Sequence, residues 1–126
     1  MNLYVFDVDG TLTPHRLPAT PEFVDFFLEW SSDRQFYLST GSDFEKTKEQ
    51  LPEEIINSAK GTFCCMGNEL YVPGNPEPVY SHEFVPTPDL VAALRKHLKE
   101  SPFPLRTGNH IERRPGMINF SVVGRN

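Results

Sequence analysis

The stretch Asn2-Leu3-Tyr4-Val5-Phe6-Asp7-Val8-Asp9-Gly10-Thr11-Leu12-Thr13 decides how this chain folds. An apolar run stops abruptly at two carboxylates spaced i, i+2, with Gly and Thr directly behind them. The pattern predicts a buried parallel strand over residues 2–6 that releases its acidic pair at its C-terminal end. In open α/β sheets that is where ligands bind. Asp7 can present a carboxylate to a metal and to a phosphoryl group, and Asp9, in a different environment, can handle a proton. Two carboxylates in two roles is the arrangement acid/base chemistry needs. A plain Asp-Gly bend is the competing reading, since both residues suit tight turns.

Working outward, residues 13–21 carry three prolines and read as a loop. Thr20-Pro21-Glu22 has the form of a helix start, with a cap residue, Pro at the first position and an acid in the first turn. Phe23, Val24, Phe27 and Leu28 recur at helical spacing to about Trp30. A second strand is expected over Gln35–Ser39. Ser42 with Glu45 fits a capping box for a second helix ending near Gln50 or Leu51, with Pro52 as its stop. Thr62–Met66 reads as a third strand. This alternation predicts a parallel sheet. Past Gly67 the texture changes. Glu69–Val72 and Val79–Phe84 are strand-like around Pro73-Gly74-Asn75-Pro76. Thr87-Pro88-Asp89 opens a helix with Leu90, Val91, Leu94 and Leu98 on one face, and short strands at Ile111–Arg113 and Met117–Val123 flank Pro115-Gly116. These pieces suggest a second module of α+β type, and we divide the chain at 1–80 and 81–126.

The 126 residues amount to one domain's worth of chain, and a net charge of −5 argues against a general nucleic-acid surface. No apolar run of membrane-spanning length occurs, and the start lacks the basic region of a signal peptide. Cys64 and Cys65 read as small buried residues in a reducing compartment, so a cytoplasmic location is expected. No Cys/His spacing suggests zinc, and no Ser, His and Asp spacing suggests a triad. His15 lies beside the acidic loop and can face it.

A second constellation follows the second strand. In Ser39-Thr40-Gly41-Ser42-Asp43, hydroxyls and Gly meet a helix start, whose free N–H groups suit a phosphate. Thr40 is the first choice of ligand and Ser42 the second, and Ser42 also caps the helix on this reading. A third lies near the C-terminus, where Arg113, Arg114 and Arg125 gather around a hairpin. Arg grips phosphate through a planar fork of donors, although most Arg residues are solvated surface charges.

The Asp7-Val8-Asp9-Gly10-Thr11-Leu12-Thr13 segment resembles the first motif of the haloacid dehalogenase (HAD) superfamily. Gly41-Ser42-Asp43-Phe44-Glu45-Lys46 with Glu49-Gln50-Leu51, and the run Ile111-Glu112-Arg113-Arg114-Pro115-Gly116-Met117-Ile118-Asn119 with Ser121 and Gly124-Arg125, resemble the eukaryotic-type phosphomannomutases within it. Residues 72–105 match poorly. The resemblance implies an α/β fold with a HAD-like Rossmannoid parallel core, incomplete here at 1–80, followed by part of an α+β cap at 81–126. It implies Asp7 as the phosphorylated nucleophile and Asp9 as the acid/base. Mg²⁺ would sit on Asp7 and on the backbone carbonyl of Asp9, with Thr40, Gly41 and Ser42 at the phosphoryl group. Arg16, Arg114 and Arg125 would contact the sugar phosphate. Arg113 replaces an apolar residue of that family and is left out, and Arg106 is a weaker candidate.

The reaction so implied is interconversion of hexose 6-phosphate and hexose 1-phosphate, mannose preferred, with a hexose bisphosphate as primer and pairing of two copies through their caps. The third-motif Lys and fourth-motif G-D-x-x-x-D of such enzymes do not occur within these residues, so we expect the N-terminal half of such a protein, and its activity alone stays open. A HAD-type sugar-phosphate phosphatase and a non-catalytic fragment binding a sugar phosphate or a partner stay open as alternatives.

Overall fold

Side-chain alternation along the second strand sets the layout. In the computed structural model, which describes residues 1–125, β1 (Leu3–Asp7) lies parallel to β2 (Gln35–Ser39), and β2 parallel to β3 (Gly61–Cys64). β4 (Glu69–Tyr71) and β5 (Tyr80–Ser81) follow antiparallel, so the sheet order is the chain order. Phe36 and Leu38 of β2 point into the core and are fully buried, while their neighbours Gln35, Tyr37 and Ser39 are half-buried. That is the period of two a pleated strand imposes. Against this face pack α1 (Pro21–Ser31) and α3 (Glu53–Ser58), which bring Phe27, Ile55 and Ile56. Phe27 meets the ring of Phe36 edge-on at 5.1 Å and that of Phe6 at 5.4 Å. Burying one such ring contributes about 1.5–3 kcal/mol.

The α1 start is as expected: Thr20 accepts a hydrogen bond from the Phe23 amide, and Pro21 occupies the first position. Four local details differ from the sequence pattern. β1 is not buried on both faces. Leu3 and Val5 are 57% and 61% exposed because β1 is an edge strand, with helices over one face among the described residues. β3 stops at Cys64 rather than Met66, since Cys65 and Met66 adopt φ of 52° and 60° and turn the chain. Only Tyr80–Ser81 of the expected Val79–Phe84 strand pairs. And α3 has no sequence signal. Pro52 forces Leu51 into an extended conformation that ends α2 (Phe44–Gln50), then itself stands at the head of α3. Both cysteines are buried.

The chain divides into two compact units, Met1–His82 and a second beginning at Glu83. The second holds α4 (Pro88–Glu100), capped by Thr87, and an antiparallel hairpin of β6 (Asn109–Arg114) and β7 (Met117–Arg125). Pro115-Gly116 turns the hairpin with Gly116 at φ 70°, the left-handed position that favours Gly after Pro. Arg106 donates to the carbonyls of Leu98, Ser101, Phe103 and Leu105, closing the end of α4. Its guanidinium is thus engaged with the backbone, the usual favourable place for a cation at a helix C-terminus.

Gly124 carries the tightest backbone approach in this unit. It has φ 95°, and a Cβ there would stand 1.6 Å from the Thr107 carbonyl oxygen. Gly74 also has a positive φ, of 82°, but open space around it. Gly124→Ala is expected to destabilise the second unit by about 1–3 kcal/mol or more, and Gly74→Ala by clearly less, read as shifts in the urea midpoint.

Candidate active site

The acidic loop is built on one buried residue between two acids. Val8 is fully buried, so Asp7 before it and Asp9 after it are kept out of the core. The Val8 carbonyl accepts the amides of Thr11, Leu12 and Thr13 at 3.2, 2.9 and 3.2 Å, which coils the loop into a single tight turn. Gly10 makes the bend at φ 77°, and its amide donates to the Thr13 carbonyl at 3.0 Å. Leu12 and Thr13 fold back into the core beneath.

The two carboxylates then meet different surroundings. Asp7 is exposed and accepts a hydrogen bond from the Thr11 hydroxyl at 3.4 Å. Register sets it beside Ser39 of β2, one residue before Thr40. Asp9 is held by donors. Its Oδ1 accepts the Arg16 backbone amide and, at 3.0 Å, the side-chain amide of Gln50. Its Oδ2 lies 3.0 Å from Nδ1 of His15. Partial burial alone would raise the pKa of Asp9. The hydrogen bonds from Arg16 and Gln50, with the charges of His15 and Arg16, outweigh it and hold the carboxyl below its ordinary value of 3.8. Arg16 adopts φ 60° in delivering its amide.

The end of β2 forms the other wall. Thr40 is buried, its amide donates to the Phe63 carbonyl at 2.9 Å, and its hydroxyl oxygen accepts the Ser42 amide at 3.1 Å. The turn after β3 folds over this segment: Cys65 and Met66 donate their amides to the carbonyls of Ser42 and Thr40 at 2.8 and 3.2 Å. Gly41 sits under that turn, where a Cβ would come 3.0 Å from the Met66 sulfur. The capping role expected of Ser42 belongs to Asp43, whose carboxylate accepts the Lys46 amide at 2.8 Å. The helix behind it has seven residues, so hydroxyls rather than a helix dipole are the chemistry this segment offers.

In the second unit the arginines are spread along the hairpin. Arg114 stands beside the turn, opposite Met117, and Arg125 at the open end, opposite Asn109. Arg114 donates to Glu112 at 3.0 Å, and Asn119, across the hairpin from Glu112, donates to the same carboxylate oxygen at 3.5 Å. Arg113 and Arg114 thus stand near the turn, with Arg114 paired to Glu112, and Arg125 at the far end of the hairpin.

Sequence reasoning assigned no role to Gln50 or Glu112. Gln50 looked like one more polar helix residue, and only the folded loop reveals what its amide meets. A concavity of about 420 Å³ lies between α2, α3 and the loop after β4, lined by Phe44, Lys48, Ile56 and Asn75 among others, and none of the site residues above borders it. Among the described residues no three His, Cys, Asp or Glu side chains cluster as metal ligands, and no helix is long and apolar enough to cross a membrane.

The backbone is similar to solved members of the HAD superfamily. An IMP-nucleotidase from Plasmodium falciparum matches with a TM-score of 0.58 at 15% identity over 94% of this chain and 39% of its own. A HAD phosphatase from Bacteroides thetaiotaomicron matches with a TM-score of 0.52 at 16% identity, over 79% of this chain and 35% of its own. At such identities the likeness shows the fold. Sequence relatives are nearer. The phosphomannomutase of Spinacia oleracea is 34% identical over 97% of this chain and 51% of its own length. Phosphomannomutase 1 of Mus musculus is 34% identical over 98% of this chain and 49% of its own. The chain thus spans about half the length of these curated relatives. The sequence profile of eukaryotic phosphomannomutase matches residues 23–126, and the chain belongs to that family.

Proposed function

We propose that this chain carries the phosphoryl-accepting part of a phosphomannomutase-type site, which interconverts hexose 6-phosphate and hexose 1-phosphate, with mannose the preferred sugar. The reading is carried by the contrast between an open Asp7 at the end of β1 and an Asp9 whose two oxygens are both held. An Asp7 oxygen attacks phosphorus, the bond from phosphorus to the sugar oxygen breaks, and that oxygen takes a proton from Asp9. In the return half the free hydroxyl of a hexose monophosphate gives its proton to Asp9 and attacks the phosphoryl group on Asp7, which frees the Asp7 carboxylate and re-forms the bisphosphate. The donors around Asp9 favour the carboxylate, the form this second half uses. Thr40, with Gly41 and Ser42, offers donors to the phosphoryl oxygens, and Arg16, Arg114 and Arg125 grip the sugar phosphate through forked, charge-assisted hydrogen bonds. Positioning and charge neutralisation supply most of the catalysis in such transfers.

The donor set fits Mg²⁺ as one part of a site. Asp7 and the backbone at Asp9 are hard oxygen ligands, and Mg²⁺ takes one or two carboxylates, completing its shell with water and phosphate. When bound it neutralises charge on the phosphoryl oxygens. In the same reading residues 1–80 form the core and 81–126 part of a cap. A hexose bisphosphate primes the reaction, two copies pair through the caps, and the protein works in the cytoplasm.

Phosphoenzyme trapping tests the reading. Incubation with Mg²⁺ and a hexose bisphosphate is expected to add one hydroxylamine-sensitive phosphoryl group, seen by mass, and none in Asp7→Asn. Steady release of inorganic phosphate without a bisphosphate would replace the mutase with a phosphatase. Folded protein that binds Mg²⁺ and never acquires the label would leave a non-catalytic binder.

The depressed Asp9 value makes a second prediction. A carboxyl titrating lower in the folded than in the unfolded chain stabilises the fold above the unfolded value, and that contribution is lost as pH falls through the folded one. The gap in urea midpoint between the protein and its Asp9→Asn variant is therefore expected to be constant near neutral pH and to shrink below about 3.8.

A further inference from the structure

Gln50 is 2% exposed, at the last position of α2, and its side-chain amide reaches three acceptors of the acidic loop. Nε2 lies 3.0 Å from Asp9 Oδ1, 3.2 Å from the Thr13 hydroxyl oxygen and 3.3 Å from the Leu17 carbonyl. The Asp9 carboxylate and the Leu17 carbonyl can only accept, which fixes the nitrogen toward the loop. The Thr13 hydroxyl sends its own proton to the Val8 carbonyl, 3.4 Å away, and so takes Gln50 on a lone pair. The Gln50 backbone joins in, with its carbonyl accepting the Ala19 amide at 2.8 Å. One residue thus ties both ends of the 9–19 loop, including Arg16, to α2. Polar groups with this many buried bonds specify one arrangement, and losing the shared partner leaves several acceptors unpaired.

We propose that Gln50 is a positioning residue that aims the Asp9 carboxyl at the leaving sugar oxygen and fixes the loop bearing Arg16. The inference rests on the functional reading above and adds a residue to it. In the step concerned, Asp7 forms its bond to phosphorus as the phosphorus–sugar oxygen bond breaks, and Asp9 gives the departing oxygen its proton. A sugar alkoxide needs that proton. Acetate, leaving from acetyl phosphate, does not. Misaiming Asp9 must therefore hurt the first donor far more than the second, whereas general loosening of the fold would hurt both alike.

The test uses Gln50→Leu, close in volume and unable to donate, with Gln50→Asn, which keeps the amide one methylene short. Phosphorylation of Asp7 is timed with a hexose bisphosphate and with acetyl phosphate, both with Mg²⁺, and amide hydrogen exchange is followed at Arg16. In Gln50→Leu the rate with the hexose bisphosphate is expected to fall about ten- to hundredfold, with KM changed much less than kcat and a loss with acetyl phosphate at least several-fold smaller. The Arg16 amide should exchange faster while the β1–β2 amides keep their protection. Gln50→Asn should recover part of the rate. Equal losses with both donors, or no loss with either, would overturn the role of Gln50 while leaving the phosphoryl-transfer reading intact. If the unaltered protein accepts no phosphoryl group from either donor, that reading falls and the inference with it.

Discussion

The burial of Val8 is the constraint on which the acidic loop depends. A residue with no exposed surface between two acids forces the strand to end where it does, because neither carboxylate can follow it into the core without a partner. The carbonyl of the same residue gathers three consecutive amides and so satisfies most of the backbone of the turn that follows. Leu12 and Thr13 then return to the core, and the loop is pinned at both ends. Parallel pairing with β2 does the rest: it sets Asp7 level with Ser39 and leaves Thr40 just beyond the strand end, where the turn after β3 fastens it.

Most of the first unit could be read from the chain because its signals are local. Alternation in Gln35–Ser39, the Thr20-Pro21 helix start and the abrupt acids after β1 all depend on residues next to one another. What escaped the reading depends on distance in sequence. Gln50 meets Asp9 across 41 positions, and nothing in its own helix advertises that contact. The half-exposed face of β1 follows from which strands and helices lie beside it, a property of the sheet rather than of Leu3 or Val5. The capping shift from Ser42 to Asp43 is a one-residue matter that two adjacent good caps left undecided until the backbone bent one way. α3 is too short for periodicity to register at all.

The overall charge hides an uneven distribution between the two units. Of 17 acidic residues 13 lie before Glu83, against 5 of the 12 Lys and Arg, so the first unit is strongly negative and the second positive. Exposed carboxylates such as Asp7 repel other anions at close range, and physiological salt damps that repulsion over a distance of about 8 Å. In the second unit Glu112 plays a double part, holding the Arg114 fork in place from a neighbouring position on β6 while cancelling some of its field. Any anion drawn to that fork meets donors already engaged with a carboxylate. Charge-assisted bonds of this kind strengthen with the charge of the acceptor, so displacing a carboxylate from such a fork takes a group more negative than a carboxylate, and a neutral hydroxyl does not suffice.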